Sequence, residues 1–178
     1  MHTFTVYVED RPGVLNRVSS LFRRKNLNII SLAVGHSETP GVSRMTVVVQ
    51  TDTGGADRIK AHLYKLIHVI SVEDITDRPA VIRDLALIKV GADRESRPEI
   101  MQLAEVFGAR VVDVAPGSVV LEMAGSEAKI DGLLDVLRPY GVLEMVRTGR
   151  VAMVRGHVPR ASASQQTDAA DDETAQSV

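Results

Sequence analysis

Between Thr3 and Phe22 the apolar residues change period, and that change constrains what the rest of the chain can build. Phe4, Val6 and Val8 alternate with Thr3, Thr5 and Tyr7, the two-residue period of a half-buried strand. The breaker group Asp10-Arg11-Pro12-Gly13 follows. Val14, Leu15, Val18, Leu21 and Phe22 then recur at helical spacing and give one apolar face. Asp10 is placed to cap the first turn through its carboxylate, and Pro12 suits a helix start because its missing N–H would have no partner there. Gly13 leaves the backbone uncovered where the free N–H groups of that turn point outward.

Such amides carry the positive end of the helix dipole and attract a carboxylate or phosphate. With Asp10 beside them, one corner offers an anion site and a cation site together, a pair that suits an α-amino acid. An ordinary capped strand–turn–helix accounts for the same residues without a ligand. Both readings stand on the residues alone.

The chain continues in the same alternation. Residues 28–35 and 44–50 read as strands joined by the turn formers His36-Ser37-Glu38-Thr39-Pro40-Gly41, an antiparallel hairpin. Thr53-Gly54-Gly55 breaks the chain, Ile59, Leu63, Leu66 and Ile67 mark a second helix, and residues 69–75 supply a fourth strand. The order βαββαβ then repeats with little repetition of sequence. Residues 85–90 are a strand, and a Ser96…Glu99 capping box opens a helix faced by Ile100, Leu103, Ala104 and Phe107. Residues 111–114 and 119–123 flank Pro116-Gly117 as a hairpin. Ser126 starts a helix carrying Ile130, Leu133, Leu134 and Leu137, and residues 141–154 are largely strand.

The fold class expected is α+β: two ferredoxin-like βαββαβ domains, each an antiparallel sheet with helices on one face. The expected division is 1–76, a linker at 77–83, and 84–156. A tail at 157–178 follows, acidic through Asp168, Asp171, Asp172 and Glu173 and expected to be disordered. Aromatic residues make up only 3% of the 178 residues, so the cores must be aliphatic. Units this small bury limited cores, and each sheet leaves one face and its edges open. A homodimer or larger assembly is therefore expected.

Composition removes several function classes. The absence of cysteine excludes a disulfide scaffold, a thiol nucleophile and a Cys-type zinc site. His2, His36, His62, His68 and His157 show no metal-binding spacing, and no G-x-S-x-G, Walker or G-x-G-x-x-G motif occurs. A net charge of −2 and few aromatics argue against nucleic acid and anionic lipid as partners. The basic run Arg23-Arg24-Lys25 suits the negative end of a helix and could also help dock an acidic partner surface. No apolar run reaches the ~18 residues of a membrane span, and no signal peptide is visible, so a soluble cytoplasmic protein is expected.

A family resemblance rests on particular residues. Glu9-Asp10-Arg11-Pro12-Gly13-Val14-Leu15-Asn16-Arg17-Val18, Leu21-Phe22, Asn28-Ile29-Ile30-Ser31-Leu32 and Ser43-Arg44-Met45-Thr46 resemble the opening of the small regulatory subunit of acetohydroxyacid (acetolactate) synthase. Lys65-Leu66-Ile67 and Leu87-Ile88-Lys89-Val90 extend the resemblance, which covers residues 3 to 156. D-x-P-G-x-L by itself is shared by many ACT domains; the ordered series is the specific signal.

The resemblance implies an N-terminal ACT domain, a second ferredoxin-like domain and a dimer with an amino-acid pocket across its interface. Gly13 and Val14 would offer N–H groups to the ligand carboxylate, Asp10 and Asn28 would hold its ammonium, and Ile29 with Val14 would wall its side chain. Asp10 is a departure, since many members carry Asn there, and that leaves effector identity open; His68 stands where Asp is frequent. The function implied is a non-catalytic regulatory subunit. It would bind the large subunit that condenses pyruvate with pyruvate or 2-oxobutyrate at the start of valine, leucine and isoleucine synthesis. It would activate that subunit and confer feedback inhibition, with valine the leading effector. Thiamine diphosphate, Mg²⁺ and FAD would reside in the large subunit, and this chain would hold no cofactor. The alternative is a free-standing ACT-domain sensor that regulates transcription or another enzyme. DNA-reading elements should then appear in the sequence, and none do. An enzyme in its own right is opposed by the lack of a catalytic constellation.

Overall fold

The alternation at the start of the chain forms strand β1 (His2–Glu9), whose Phe4, Val6 and Val8 are at most 1% exposed. The computed structural model describes residues 1–156. β1 is followed by helix α1 (Val14–Arg24), β2 (Ile29–His36), β3 (Val42–Val49), α2 (Thr53–Tyr64) and β4 (Val69–Asp74). The strands form one antiparallel sheet in the order β2-β3-β1-β4, with β2 and β4 at its edges. Both helices cover the face that carries Phe4, Val6, Met45 and Val47. Val14, Val18, Leu21 and Phe22 are the buried stripe of α1, as their spacing predicts.

The second unit comprises β5 (Ala80–Gly91), α3 (Arg97–Phe107), β6 (Arg110–Ala115), β7 (Ser118–Gly125), α4 (Glu127–Leu137), a 3-10 turn, β8 (Val142–Arg147) and β9 (Val151–Val154). Its sheet runs β6-β7-β5-β8, and its core is aliphatic: Ile88, Val90, Leu121, Ile130, Leu133 and Leu137 are fully buried. The α+β architecture of two βαββαβ units is thus observed.

Three local expectations are corrected. Gly54-Gly55 is not a break but lies in the first turn of α2, where Asp52 caps the helix by accepting the Gly55 N–H at 2.6 Å. Leu66 and Ile67 lie beyond that helix, and Ile67 is 70% exposed. The Ser96…Glu99 box does not form. Asp93 Oδ1 takes the N–H groups of Glu95 and Ser96 at 3.0 and 2.7 Å together with the Ser96 hydroxyl, and Glu99 is a hydrogen-bond partner of Tyr140.

The largest difference concerns the segment read as a linker at 77–83. From Ala80 onward it is strand: β5 pairs through Ala80–Arg83 with β9, and only its later residues join the second sheet. This two-stranded ribbon lies against the outer face of the first sheet. Thr3, Thr5, Thr46 and Val48 face away from α1 and α2, yet none is more than 4% exposed. The Arg44 guanidinium donates to the Ala152 carbonyl, and Ala152 is itself 3% exposed. The face expected to be open is therefore covered by the chain's own β5–β9 ribbon. The second sheet keeps its outer face open, with Leu85, Leu87 and Val146 exposed. Among the described residues no helix is long and apolar enough to cross a membrane. The expectation for residues 157–178 falls outside the described residues.

Candidate functional site

The corner between β1 and α1 is built by backbone bonds. The Asp10 N–H donates to the Gly41 carbonyl at 2.8 Å, which ties the end of β1 to the β2–β3 hairpin. The chain then turns through Gly13 at φ +83°, a left-handed conformation that glycine adopts without a Cβ penalty. Gly13 is the residue at the cap position, and among the described residues no side chain caps α1. Asp10 does not cap, contrary to expectation, because the extra turn through Pro12 and Gly13 carries the helix start away from it. Its carboxylate instead points to the end of β2, where Oδ2 lies 3.5 Å from His36 Nδ1.

This arrangement leaves donors uncovered. The Val14 N–H makes a long bond of 3.4 Å to the Arg11 carbonyl, whereas the N–H groups of Gly13, Leu15 and Asn16 have no acceptor among the described residues. A Cβ placed on Gly13 would meet nothing within 4 Å among the described residues, which leave the surface in front of the turn open. The Leu15 and Asn16 amides were not singled out from the sequence; only the cap geometry identifies them. Val14 is also corrected. Its side chain is 3% exposed and sits in the core stripe with Val18 and Leu21, so it walls no external pocket, while Leu15 beside it is 43% exposed.

The surrounding charges are paired with one another. Glu9 meets Arg11 at 2.6 Å and His68 at 3.0 Å, and His68 is held at φ +73° where the chain enters β4. Asp10 is thus left facing His36, both substantially exposed.

Asn28 and Ile29 lie elsewhere. They open β2 at the far end of α1, where Ile29 pairs with Val49, and Val49 in turn with His2. Eleven helical residues separate the two ends, about 16 Å at 1.5 Å per residue. The structure brings Asp10, Gly13 and Val14 together and keeps Asn28 with Ile29, but it does not join the two groups within one chain. His36, at the other end of β2, is the residue that shares the Asp10 corner. A cavity of about 220 Å³ between the end of α1 and α2, floored by Leu21, Phe22 and Ile59, lies away from that corner. Among the described residues no group of three or more His, Cys, Asp or Glu side chains could hold a metal ion.

Comparison with known proteins covers both units. Residues 4–71 match the model of the AHAS small subunit-like ACT domain, and residues 83–156 match that of the small subunit of acetolactate synthase. The chain is 47% identical over 156 residues to the probable acetolactate synthase small subunit of Archaeoglobus fulgidus, covering 88% of this chain and 98% of that one. It is 44% identical over 161 residues to the acetolactate synthase small subunit of Bacillus subtilis, covering 90% and 94%. The crystal structure of the acetolactate synthase small subunit from Thermotoga maritima superposes with a TM-score of 0.82 at 38% identity, covering 88% of this chain and 98% of that one. With an ACT domain first and the small-subunit domain after it, the chain belongs to the family of acetolactate synthase small subunits, regulatory subunits of an enzyme complex.

Proposed function

We propose that this chain binds the catalytic subunit of acetolactate synthase, raises its activity, and mediates feedback inhibition by valine held between two copies of its ACT domain. The observation that carries this reading is the division of the site along β2. β2 is an edge strand with unpaired backbone groups, Asn28 and Ile29 stand at its start, and the Asp10 corner lies at its end. Two-fold pairing of β2 with a second copy is antiparallel, so the start of one strand lies beside the end of the other. Asn28 and Ile29 of one copy then face Asp10, Gly13 and Leu15 of the other, and the two half-sites become one.

In that site the open N–H groups at the start of α1 bind the amino-acid carboxylate at the positive end of the helix. Asp10 and Asn28 hold the ammonium, while Ile29 and Leu15 contact the aliphatic side chain. Valine stabilises one arrangement of the dimer, and the catalytic subunit responds because it binds the two arrangements differently; a coupling of about 1–3 kcal/mol gives a 5–150-fold effect. The thiamine diphosphate, Mg²⁺ and FAD of the reaction are assigned to the catalytic subunit.

Complementation tests the shared site. Gly13→Asp and Asn28→Ala proteins should each bind valine poorly in a calorimeter. Mixed and allowed to exchange subunits, half of the dimers are hybrids with one intact site, so about a quarter of the wild-type sites should return. Leucine and isoleucine rank the effector, and lysine is the control. No recovery on mixing two folded variants would refute a site shared between copies.

A further inference from the structure

We infer that the turn Thr148-Gly149-Arg150 is the contact through which the second domain reads the state of β2, an inference that rests on the proposed effector site. Ser31 lies two residues beyond Ile29, and its hydroxyl accepts the Arg150 N–H at 2.7 Å. Gly149, at φ +82°, approaches β2 so closely that a Cβ there would stand 2.8 Å from Ser31 Oγ and 3.6 Å from the Leu32 carbonyl oxygen. The pairing of β2 with β3 is irregular between Ile29 and Ser31. An irregularity of this kind leaves a residue unpaired and bends its strand locally, and here it separates the effector-wall residue from the residue touched by the turn.

The same turn is fixed to the second domain. Thr148 exchanges two bonds with Leu85, its N–H donating to the carbonyl at 3.0 Å and its hydroxyl accepting the Leu85 N–H at 3.1 Å. The Arg150 guanidinium donates to Glu127, the first residue of α4, at 3.0 Å, and reaches Thr3 Oγ1 of β1 at 3.5 Å. Just before the turn, Arg147 binds Asp131 of α4 at 2.8 Å. A displacement of β2 at Ser31 therefore acts on a short segment that is hydrogen-bonded to β5 and ion-paired to α4.

The covalent connection does not serve this purpose. The chain leaves the first sheet from β4, the edge opposite β2. The effector edge thus meets the second domain through the Ser31–Arg150 contact rather than through the main chain.

The test is hydrogen–deuterium exchange on the full chain, with and without saturating valine, in wild type, Ser31→Ala and Arg150→Ala. Wild type should show a valine-dependent change in exchange at residues 148–154 and at the start of α4. Ser31→Ala should bind valine within about twofold of wild type by calorimetry while that change shrinks about fivefold or more. Arg150→Ala should keep the change at 148–154 and lose it at α4, which also guards against a folding defect confined to one variant. Valine binding to wild type with no change at 148–154, or an unaltered change in valine-bound Ser31→Ala, overturns the inference. A wild-type chain that binds none of the branched-chain amino acids overturns the effector reading and this inference with it, and the calorimeter reports that failure before any exchange is measured.

Discussion

Gly13 separates two effects that most substitutions confound. Its φ of +83° disfavours any residue with a Cβ, yet a Cβ there would meet nothing within 4 Å among the described residues. The stability cost of Gly13→Ala is therefore the left-handed backbone alone, about 1–2 kcal/mol. Asp tolerates that conformation better than Ala, and its carboxylate stands at the positive end of α1, which returns about 0.3–1 kcal/mol. Stability should fall in the order Gly, Asp, Ala. Valine affinity should fall in a different order. Gly13→Ala leaves the amides of Leu15 and Asn16 open, whereas the Asp side chain covers them and repels the ligand carboxylate. Two like charges about 4 Å apart at an effective dielectric near 20 repel by up to about 4 kcal/mol, on the order of a thousandfold in affinity. Thermal melts and calorimetry of the three proteins give both orders. If Asp bound valine as well as Ala did, the carboxylate would not lie at this helix start. If Ala melted no lower than wild type, the left-handed turn would carry no cost.

Gly55→Ala should destabilise the first domain by about 1–3 kcal/mol in urea titration, because its Cβ would fall on the Thr51 hydroxyl and 2.9 Å from Asp52 Oδ1, the capping oxygen; Thr51→Ala in the same chain should recover most of the loss. Asp84 is pushed up by burial, which Arg147 and Arg150 only partly offset, and its Oδ1 has no partner among the described residues. Its folded form holds the proton more tightly than the unfolded one, so the stabilising contribution is full below the ordinary 3.8 and is lost as pH rises through the folded value. The stability of Asp84→Asn relative to wild type should accordingly improve with pH across that range, and a flat difference would refute the assignment. Asp74 behaves oppositely: burial pushes it up, but the Thr76 hydroxyl and N–H and the His2 ring outweigh this and hold it low, so Asp74→Asn should cost stability above 3.8 and converge on wild type in acid. Ala152→Asp buries a carboxylate against the outer face of the first sheet, and amide exchange in β1 and β3 should accelerate while the core strands of the second sheet stay protected.

Periodicity carried the elements and little beyond them. The alternation of Phe4, Val6 and Val8, the stripe of Val14, Val18, Leu21 and Phe22, and the cap at Ser126 are each decided within one turn or one strand, where neighbouring residues determine the outcome. The cap expected at Asp10 failed because an extra turn moves the helix start away, and the one at Ser96 because two acceptors competed. Ser96 and Glu99 fit a capping pattern, but Asp93 lies three residues before Ser96 and takes its N–H, a carboxylate already in place. Gly54-Gly55 looked like a break because two glycines weaken a helix. Their position after Asp52 puts them in the first turn, where Thr51 leaves no room for a side chain at Gly55.

What no local pattern could show is the return of β9 to β5, a pairing of Ala80 with Val154 across the whole second domain. The outer residues of β1 are Thr3, Thr5 and Tyr7, polar enough to read as solvent-facing, and two of them are buried because a distant segment lies on them. The candidate site is illegible for a related reason. Asp10 and Gly13 were marked by the chemistry of the turn, Asn28 and Ile29 by family resemblance, and a single chain sets the two pairs about 16 Å apart along α1. Turn chemistry reads the Asp10 corner equally as an ordinary turn or as a corner for an amino acid, and reads Asn28 as a turn residue before a strand. In the proposed reading the position of β2 at the sheet edge supplies the missing term, because an edge strand can bring its own start beside the end of an identical strand. The property that makes the strand a liability in isolation is the one by which the proposed site would be divided between two copies.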